Sequence, residues 1–293
     1  MKKPSFFMIG APKCGTTSLY EWLSFHPNIY MPYKEVHWFN QDHGGGVVSS
    51  QTEYNSLFDQ VGDQYISALG EASVWYLYSQ VAVKNICAYN ENAKFIVMVR
   101  NPLEMAVSLH DQLYHMAMED VYDFKDAWNL QEIRSKGLKI PSLCEDPKFL
   151  QYGPVCSLGE QVERLYDIVN QKNILVLLLD DFKENPRREY LKVLSFISVP
   201  DDGRVNFPVL NSAKTVRFFM LAKIVGTIAK IKTTFGIRRG VGGLRLLNSL
   251  NKKAKPRKSL DPFMFNEMAQ YFESDVKKLG DLINRDLSDW LER

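Results

Sequence analysis

The sequence predicts an α/β protein, three layers deep (α/β/α), built on a central, doubly wound parallel sheet. Three observations carry this. Residues 95–99 (FIVMV) and 174–179 (ILVLLL) are unbroken apolar runs of strand length, as parallel strands buried on both faces require. Helix-length segments lie between the strands, and two of them open on proline, Pro102 and Pro186, where the missing N–H is tolerated. The first apolar run, 5–9 (SFFMI), passes through a glycine-containing turn into a helical segment, the start of a βαβ unit.

In chain order, strand 5–9 leads to a helix at 16–25, capped by Thr16 or Thr17 if the join is an ordinary βα turn. Strand 95–99 is followed by helix 102–116. Helix 158–170 precedes strand 174–179, which is followed by helix 186–198, and a long helix closes the chain at 262–284. Ligands of such sheets bind beyond the carboxyl ends of the strands. Gly10, Arg100 and Asp180 lie just past three strand ends and are expected to face one crevice.

A length of 293 residues with 45% hydrophobic and 24% charged residues suits a core-forming chain, read here as a single domain over 1–293. The net charge of +2 excludes polyanion binding by global charge, and no nucleic-acid partner is expected. Lys2 and Lys3 precede an apolar run too short for a signal sequence, and no stretch approaches the ~18 apolar residues of a membrane span, so the expectation is a cytoplasmic protein. Cys14, Cys87, Cys144 and Cys156 lack metal-type spacing and read as reduced thiols, with a Cys144–Cys156 pair the alternative under oxidising conditions. Residues 212–258 carry many Lys and Arg and no Asp or Glu, with Phe218, Leu221, Ile224, Val225 and Ile228 at helical spacing. This segment is either a surface helix with a solvated basic face or a contact for an acidic substrate or an anionic membrane surface.

Four short constellations bear chemistry. Gly10-Ala-Pro-Lys13-Cys-Gly15-Thr-Thr-Ser18 joins the first strand to the first helix, where backbone N–H groups and the helix dipole favour an anion. It departs from the nucleotide P-loop, because Thr16 stands where that motif has lysine and the lysine lies inside the loop at Lys13. An ordinary βα turn is the competing reading. In 96–110 (IVMVRNPLEMAVSLH), Arg100 and Ser108 are candidates for holding a phosphate, the alternative being a surface ion pair and an exposed serine. In 31–40 (MPYKEVHWFN), Glu35 between Lys34 and His37 is a candidate general base, against a solvated Lys–Glu pair. Asp180-Asp181, ending an apolar strand, mimics the metal-positioning carboxylate of a kinase or ATPase.

Together these stretches resemble the sulfotransferases that use 3′-phosphoadenosine 5′-phosphosulfate (PAPS), in particular the bacterial and Golgi heparan sulfate members. GAPKCGTTSLYEWLSFHPNI looks like their 5′-phosphosulfate loop, KEVHWFN is similar to their KEVHFF segment, and VRNPLEMAVS looks like their 3′-phosphate motif. LGEASVWYL (69–77), residues 174–200 and the C-terminal helix also resemble the family. The resemblance implies the P-loop NTPase-like sulfotransferase fold and transfer of a sulfuryl group to a hydroxyl or amine of a sugar or glycolipid. It implies no metal, because a sulfuryl group carries less charge than a phosphoryl group, and it leaves Asp180 a structural or loop residue. It assigns Glu35 as base, with His37 a reserve base or acceptor contact, and Lys13 to the charge that develops on the bridging oxygen. Cys14, Gly15, Thr16, Thr17 and Ser18 are assigned to the 5′-phosphate, and Arg100 and Ser108 to the 3′-phosphate. Ala72 stands where Golgi members have a second lysine, Val74 where they have proline and Asn40 where they have aspartate. Lys255, Arg257 and Lys258 are candidates for a further basic contact. The rival readings are a P-loop kinase using Mg-ATP and a non-catalytic protein that docks acidic glycans or membranes through 212–258.

Overall fold

The computed structural model describes residues 2–43, 46, 48–59, 65–208, 214–216, 252–254 and 260–293. The chain divides into two compact units, Met1–Pro102 with Ser157–Leu210 and Phe272–Arg293, and Leu103–Cys156 with Asn211–Tyr271.

The first unit holds a five-stranded parallel sheet formed by β1 (Phe6–Gly10), β2 (Ile29–Tyr30), β3 (Ala68–Ala72), β4 (Lys94–Val99) and β5 (Ile174–Leu178), in the order β2-β3-β1-β4-β5. The chain moves from β1 to one side for β2 and β3, then to the other for β4 and β5. The order therefore reverses around β1, and the loop after β1 lies where α/β sheets bind ligands. Phe6, Phe7, Met8 and Ile9 are fully buried, as are Ile96, Val97, Met98 and Val99, which explains their lack of polar alternation. Edge strand β5 is only half-buried over Ile174–Val176.

Strand β3 (ALGEA) has little strand propensity of its own. It is a strand because β1 pairs with one of its edges and β2 with the other. Gly70 opposes Phe6, and a Cβ on it would lie 2.1 Å from the Phe6 ring.

The helices of this unit include the one expected near 16–25 and two short ones, at 51–56 and 82–89, that were not expected. They are α1 (Thr16–Ser24), α2 (Gln51–Ser56) and α3 (Ala82–Tyr89), with three more introduced below. In α3, Ala82, Val83, Ile86 and Tyr89 make the apolar face.

The second unit begins within α4 (Pro102–His115) and includes α5 (Phe124–Asn129), α6 (Gln131–Ser135) and α7 (Tyr152–Cys156). Its interior holds an ion pair, Glu119 with Arg134, both side chains 0% exposed. Arg134 donates Nη1 to Oε2 (2.5 Å) and Nη2 to Oε1 (2.7 Å). The Tyr152 hydroxyl donates to Oε2, and the N–H groups of Asp120 and Val121 donate to Oε1.

Back in the first unit, α8 (Leu158–Ile168) precedes β5. It is followed by α9 (Leu179–Glu184) and α10 (Pro186–Phe196), whose Asn185 caps it by accepting from the Arg188 N–H. Asp180, read as a structural or loop residue just past the strand end, sits in the first turn of α9, since β5 runs directly into that helix. It pairs there with Lys183 at 2.8 Å.

In the second unit, β6 (Lys214–Val216) pairs antiparallel with β7 (Lys252–Ala254). The rest of 212–258, including the expected helical positions 218–228 and the basic residues 255, 257 and 258, lies outside the described residues. The closing helix α11 (Pro262–Ile283) crosses the unit boundary. In its first-unit part, the Asp275 carboxylate accepts from the N–H groups of Gly159 and Glu160 at 2.9 Å each and so caps α8. All four cysteines are free thiols. No helix among the described residues is long and apolar enough to cross a membrane.

Candidate active site

The loop after β1 is shaped by its glycines. Gly15 is the N-cap of α1 at φ 90, a left-handed conformation, and a Cβ there would lie 2.8 Å from Leu179 Cδ1. No side chain caps α1, so the threonine cap of the ordinary-turn reading is absent. By helix geometry, the N–H groups of Gly15, Thr16 and Thr17 have no carbonyl one turn back to bind. Ser18 N–H closes onto the Gly15 carbonyl at 3.0 Å, and Cys14 N–H turns back to Ala11 at 3.4 Å. The N–H groups of Gly15–Thr17 are therefore suited to an anion.

Two cationic residues shape this loop. Lys13 is left-handed (φ 65), and Arg100, just past β4 and 2% exposed, donates Nη1 to the Lys13 carbonyl at 3.2 Å. The Cys14 thiol is fully buried. Burial pushes it up to about 12, against the pull of the Arg100 and Lys13 charges, so it is no nucleophile at neutral pH.

The second half of the site is the turn at 34–39. Glu35 and His37 are both left-handed, at φ 67 and 54. The turn hangs from β3 and the loop after it. Glu35 N–H donates to the carbonyl of Ala72 (2.7 Å), His37 N–H to Ser73 Oγ (3.1 Å) and Trp38 N–H to the Tyr76 hydroxyl (2.9 Å). Beneath them the buried Glu71 accepts from Ser73 Oγ (2.7 Å), Tyr54 (2.9 Å) and Tyr76 (3.2 Å). Burial is the main cause that raises the Glu71 carboxyl, and these three hydrogen bonds oppose it only in part.

The Glu35 carboxylate is fully engaged. Oε1 accepts from Lys34 Nζ at 2.6 Å, while Oε2 lies 3.1 Å from His37 Nε2 and accepts from Val74 N–H at 3.1 Å. Burial alone would raise this carboxyl. The His37 hydrogen bond and the Lys34 charge and hydrogen bond outweigh it and hold it at about 2. Lys34 also donates to Thr16 Oγ1 at 3.3 Å, which ties the turn to the first residue of α1. His37 Nδ1 is buried with no hydrogen-bond partner among the described residues.

The structure thus joins Glu35 and His37 to each other and, through Lys34 and Thr16, to the loop of Lys13–Ser18 and Arg100. Ser108 is buried on α4, in the second unit. Asn40 is buried at 2% exposure. Sequence reasoning gave no role to Glu71, Ser73, Tyr54 or Tyr76. The available signal was the glutamate inside an otherwise apolar LGEA stretch.

Human carbohydrate sulfotransferase 15 is 24% identical over 258 residues, 67% of this chain and 44% of that protein. Human heparan sulfate glucosamine 3-O-sulfotransferase 6 is 31% identical over 37% of this chain and 30% of its own length. The membrane-associated sulfotransferase kil1 of Dictyostelium discoideum is 30% identical over 40% of this chain and 23% of its own. The chain thus spans less than half the length of these relatives. The fold matches a solved sulfotransferase from Alicyclobacillus acidocaldarius with a TM-score of 0.73 at 24% identity, covering 99% of both chains. It also matches mouse sulfotransferase SULT7A1 complexed with PAP, with a TM-score of 0.54 at 12% identity, over 97% of this chain and 87% of that one. The model of the sulfotransferase domain matches residues 3–282, and the chain accordingly belongs to the sulfotransferase family.

Proposed function

We propose that this chain transfers a sulfuryl group from PAPS to a hydroxyl or amine of a carbohydrate or glycoconjugate, leaving adenosine 3′,5′-bisphosphate. The observation that carries this reading is the tie, through Lys34 and Thr16, between a half-buried carboxylate and an uncapped helix N-terminus behind a glycine loop. The residues fit the donor: N–H groups at the start of α1 for the 5′-phosphate, Lys13 beside them, and the Arg100 guanidinium for the 3′-phosphate. When bound, the donor supplies an electrophilic sulfur and a phosphate leaving group.

In this reading Glu35 takes the acceptor proton and Lys13 offsets charge at the bridging oxygen. His37 orients Glu35 through Nε2. The Glu71 network fixes the turn, so alignment of the reactants supplies much of the rate. The names of the relatives support a sugar acceptor. We read 1–293 as one sulfotransferase domain, since the family match runs through both units. The composition of 212–258 supports it as a contact for acidic glycan or membrane. Against the kinase reading stands the family match over residues 3–282.

Adenosine 3′,5′-bisphosphate is expected to raise the melting temperature, and Mg-ATP to leave it unchanged. The converse would return the chain to the kinases. Labelled PAPS offered with glycans, glycolipids and small phenols identifies the acceptor. Arg100→Ala is expected to weaken binding of the bisphosphate by roughly 10–100-fold, the scale of a lost charge-assisted hydrogen bond. Binding of adenosine 5′-monophosphate should fall far less. Equal losses for the two ligands remove Arg100 from the 3′-phosphate.

A further inference from the structure

Lys34 lies between the two halves of the site. Its ammonium meets Glu35 Oε1 at 2.6 Å and Thr16 Oγ1 at 3.3 Å, and its side chain is 17% exposed. Thr16 is the first residue of α1, at the end of the helix that favours anions. The partners of the Glu35 carboxylate divide unevenly. His37 and Val74 N–H hold Oε2, whereas Lys34 holds Oε1. Withdrawing Lys34 would expose one oxygen while the other kept the carboxylate in place.

Resting on the donor reading above, we infer that Lys34 is a donor-operated latch. An anion seated at the start of α1 draws its ammonium from Glu35 Oε1, and the exposed oxygen then receives the acceptor proton. The proton passes from the acceptor to Oε1 as the acceptor oxygen bonds to sulfur and the bond from sulfur to the leaving phosphate oxygen breaks. Lys34 is a positioning residue in this scheme. It makes the base competent only with donor present, so sulfuryl acceptors are not deprotonated at an empty loop.

Electrostatics support the geometry. Among the described residues, the charged and titratable groups facing Glu35 are Lys34 and His37 on its own turn. Beside β3 the carboxylate meets the neutral Val74 N–H, and Glu71 stands behind Ser73. From α1 the Thr16 hydroxyl accepts from Lys34, and the Tyr20 hydroxyl donates to the Pro32 carbonyl just before the turn. A carboxyl held at about 2 is a weak base. Losing the charge and hydrogen bond of Lys34 leaves His37 alone against burial, so the carboxyl rises and donor binding is coupled to proton uptake by Glu35.

The test is calorimetric binding of adenosine 3′,5′-bisphosphate at pH 5 in buffers of differing ionisation enthalpy. If Glu35 returns to its ordinary range, the wild type takes up about 0.2 proton more per site than Glu35→Gln, a comparison that cancels protons belonging to the ligand. Lys34→Met should abolish that difference, because its Glu35 is already released, and Lys34→Arg should restore part of it. A merely structural role for Lys34 would not move this quantity. Equal proton uptake by the wild type and Glu35→Gln, or a difference that survives in Lys34→Met, overturns the latch and leaves the donor reading intact. No binding of the bisphosphate by the wild type overturns the donor reading and the latch with it.

Discussion

Glu35→Ala is expected to lower sulfuryl-transfer turnover by about 10²–10⁴-fold, the usual contribution of a positioned general base. Binding of adenosine 3′,5′-bisphosphate should stay within a few-fold of wild type. The split follows from the layout. Glu35 reaches the loop only through Lys34, whereas the candidate phosphate donors belong to the loop itself. Glu35→Gln separates chemistry from packing, since the amide is of similar size and accepts poorly as a base. It should lose nearly as much turnover as alanine while keeping the fold of the turn. Near-normal turnover in both variants would give the base role to His37, whose buried Nδ1 lacks a partner among the described residues. The two measurements needed are single-turnover rates with labelled PAPS and equilibrium binding of the product nucleotide.

Arg134→Ala is expected to destabilise the fold by about 3–5 kcal/mol, the range for stripping one partner from a buried ion pair. Burial tends to raise the Glu119 carboxyl, but the hydrogen bonds of Arg134 and Tyr152 bring it below its ordinary range. Without Arg134 the carboxylate would be left charged at 0% exposure, or protonated with too few acceptors for its neighbours. The denaturant midpoint reads the loss. A paired replacement, Glu119→Leu with Arg134→Met, should cost less than the single change, because it removes both charges at once. It will not be neutral, since Tyr152 and the N–H groups of Asp120 and Val121 lose their acceptor. A loss below about 1 kcal/mol for Arg134→Ala would show that water reaches the pair.

Strand β4 was legible because a central parallel strand must be apolar on both faces, and β5, though at the edge, was legible as an unbroken apolar run of strand length. Strand β3 was not, because ALGEA owes its conformation to the strands on either side and to the fit of Gly70 against Phe6. The start of α9 was hidden for a related reason: an apolar run does not say where strand gives way to helix, and Leu179 already belongs to α9. In the site, Lys13, Glu35 and His37 could be read from short motifs whose chemistry depends on residue type. The role of Lys34 could not. Side chains adjacent in sequence diverge in regular structure, and here they meet around a left-handed Glu35. The network of Glu71 with Tyr54, Ser73 and Tyr76 unites side chains from separate segments, a pairing that one sequence does not encode visibly.

The left-handed backbone of Lys13, Glu35 and His37 has an evolutionary corollary. Each such residue without glycine's freedom carries about 1–3 kcal/mol of conformational strain. A lineage released from catalysis would gain stability by drifting to glycine or asparagine at these three positions, with no repacking of the core. Such drift would therefore be an early mark of a descendant that has become a binding protein. The chain described here has lysine, glutamate and histidine at these three positions.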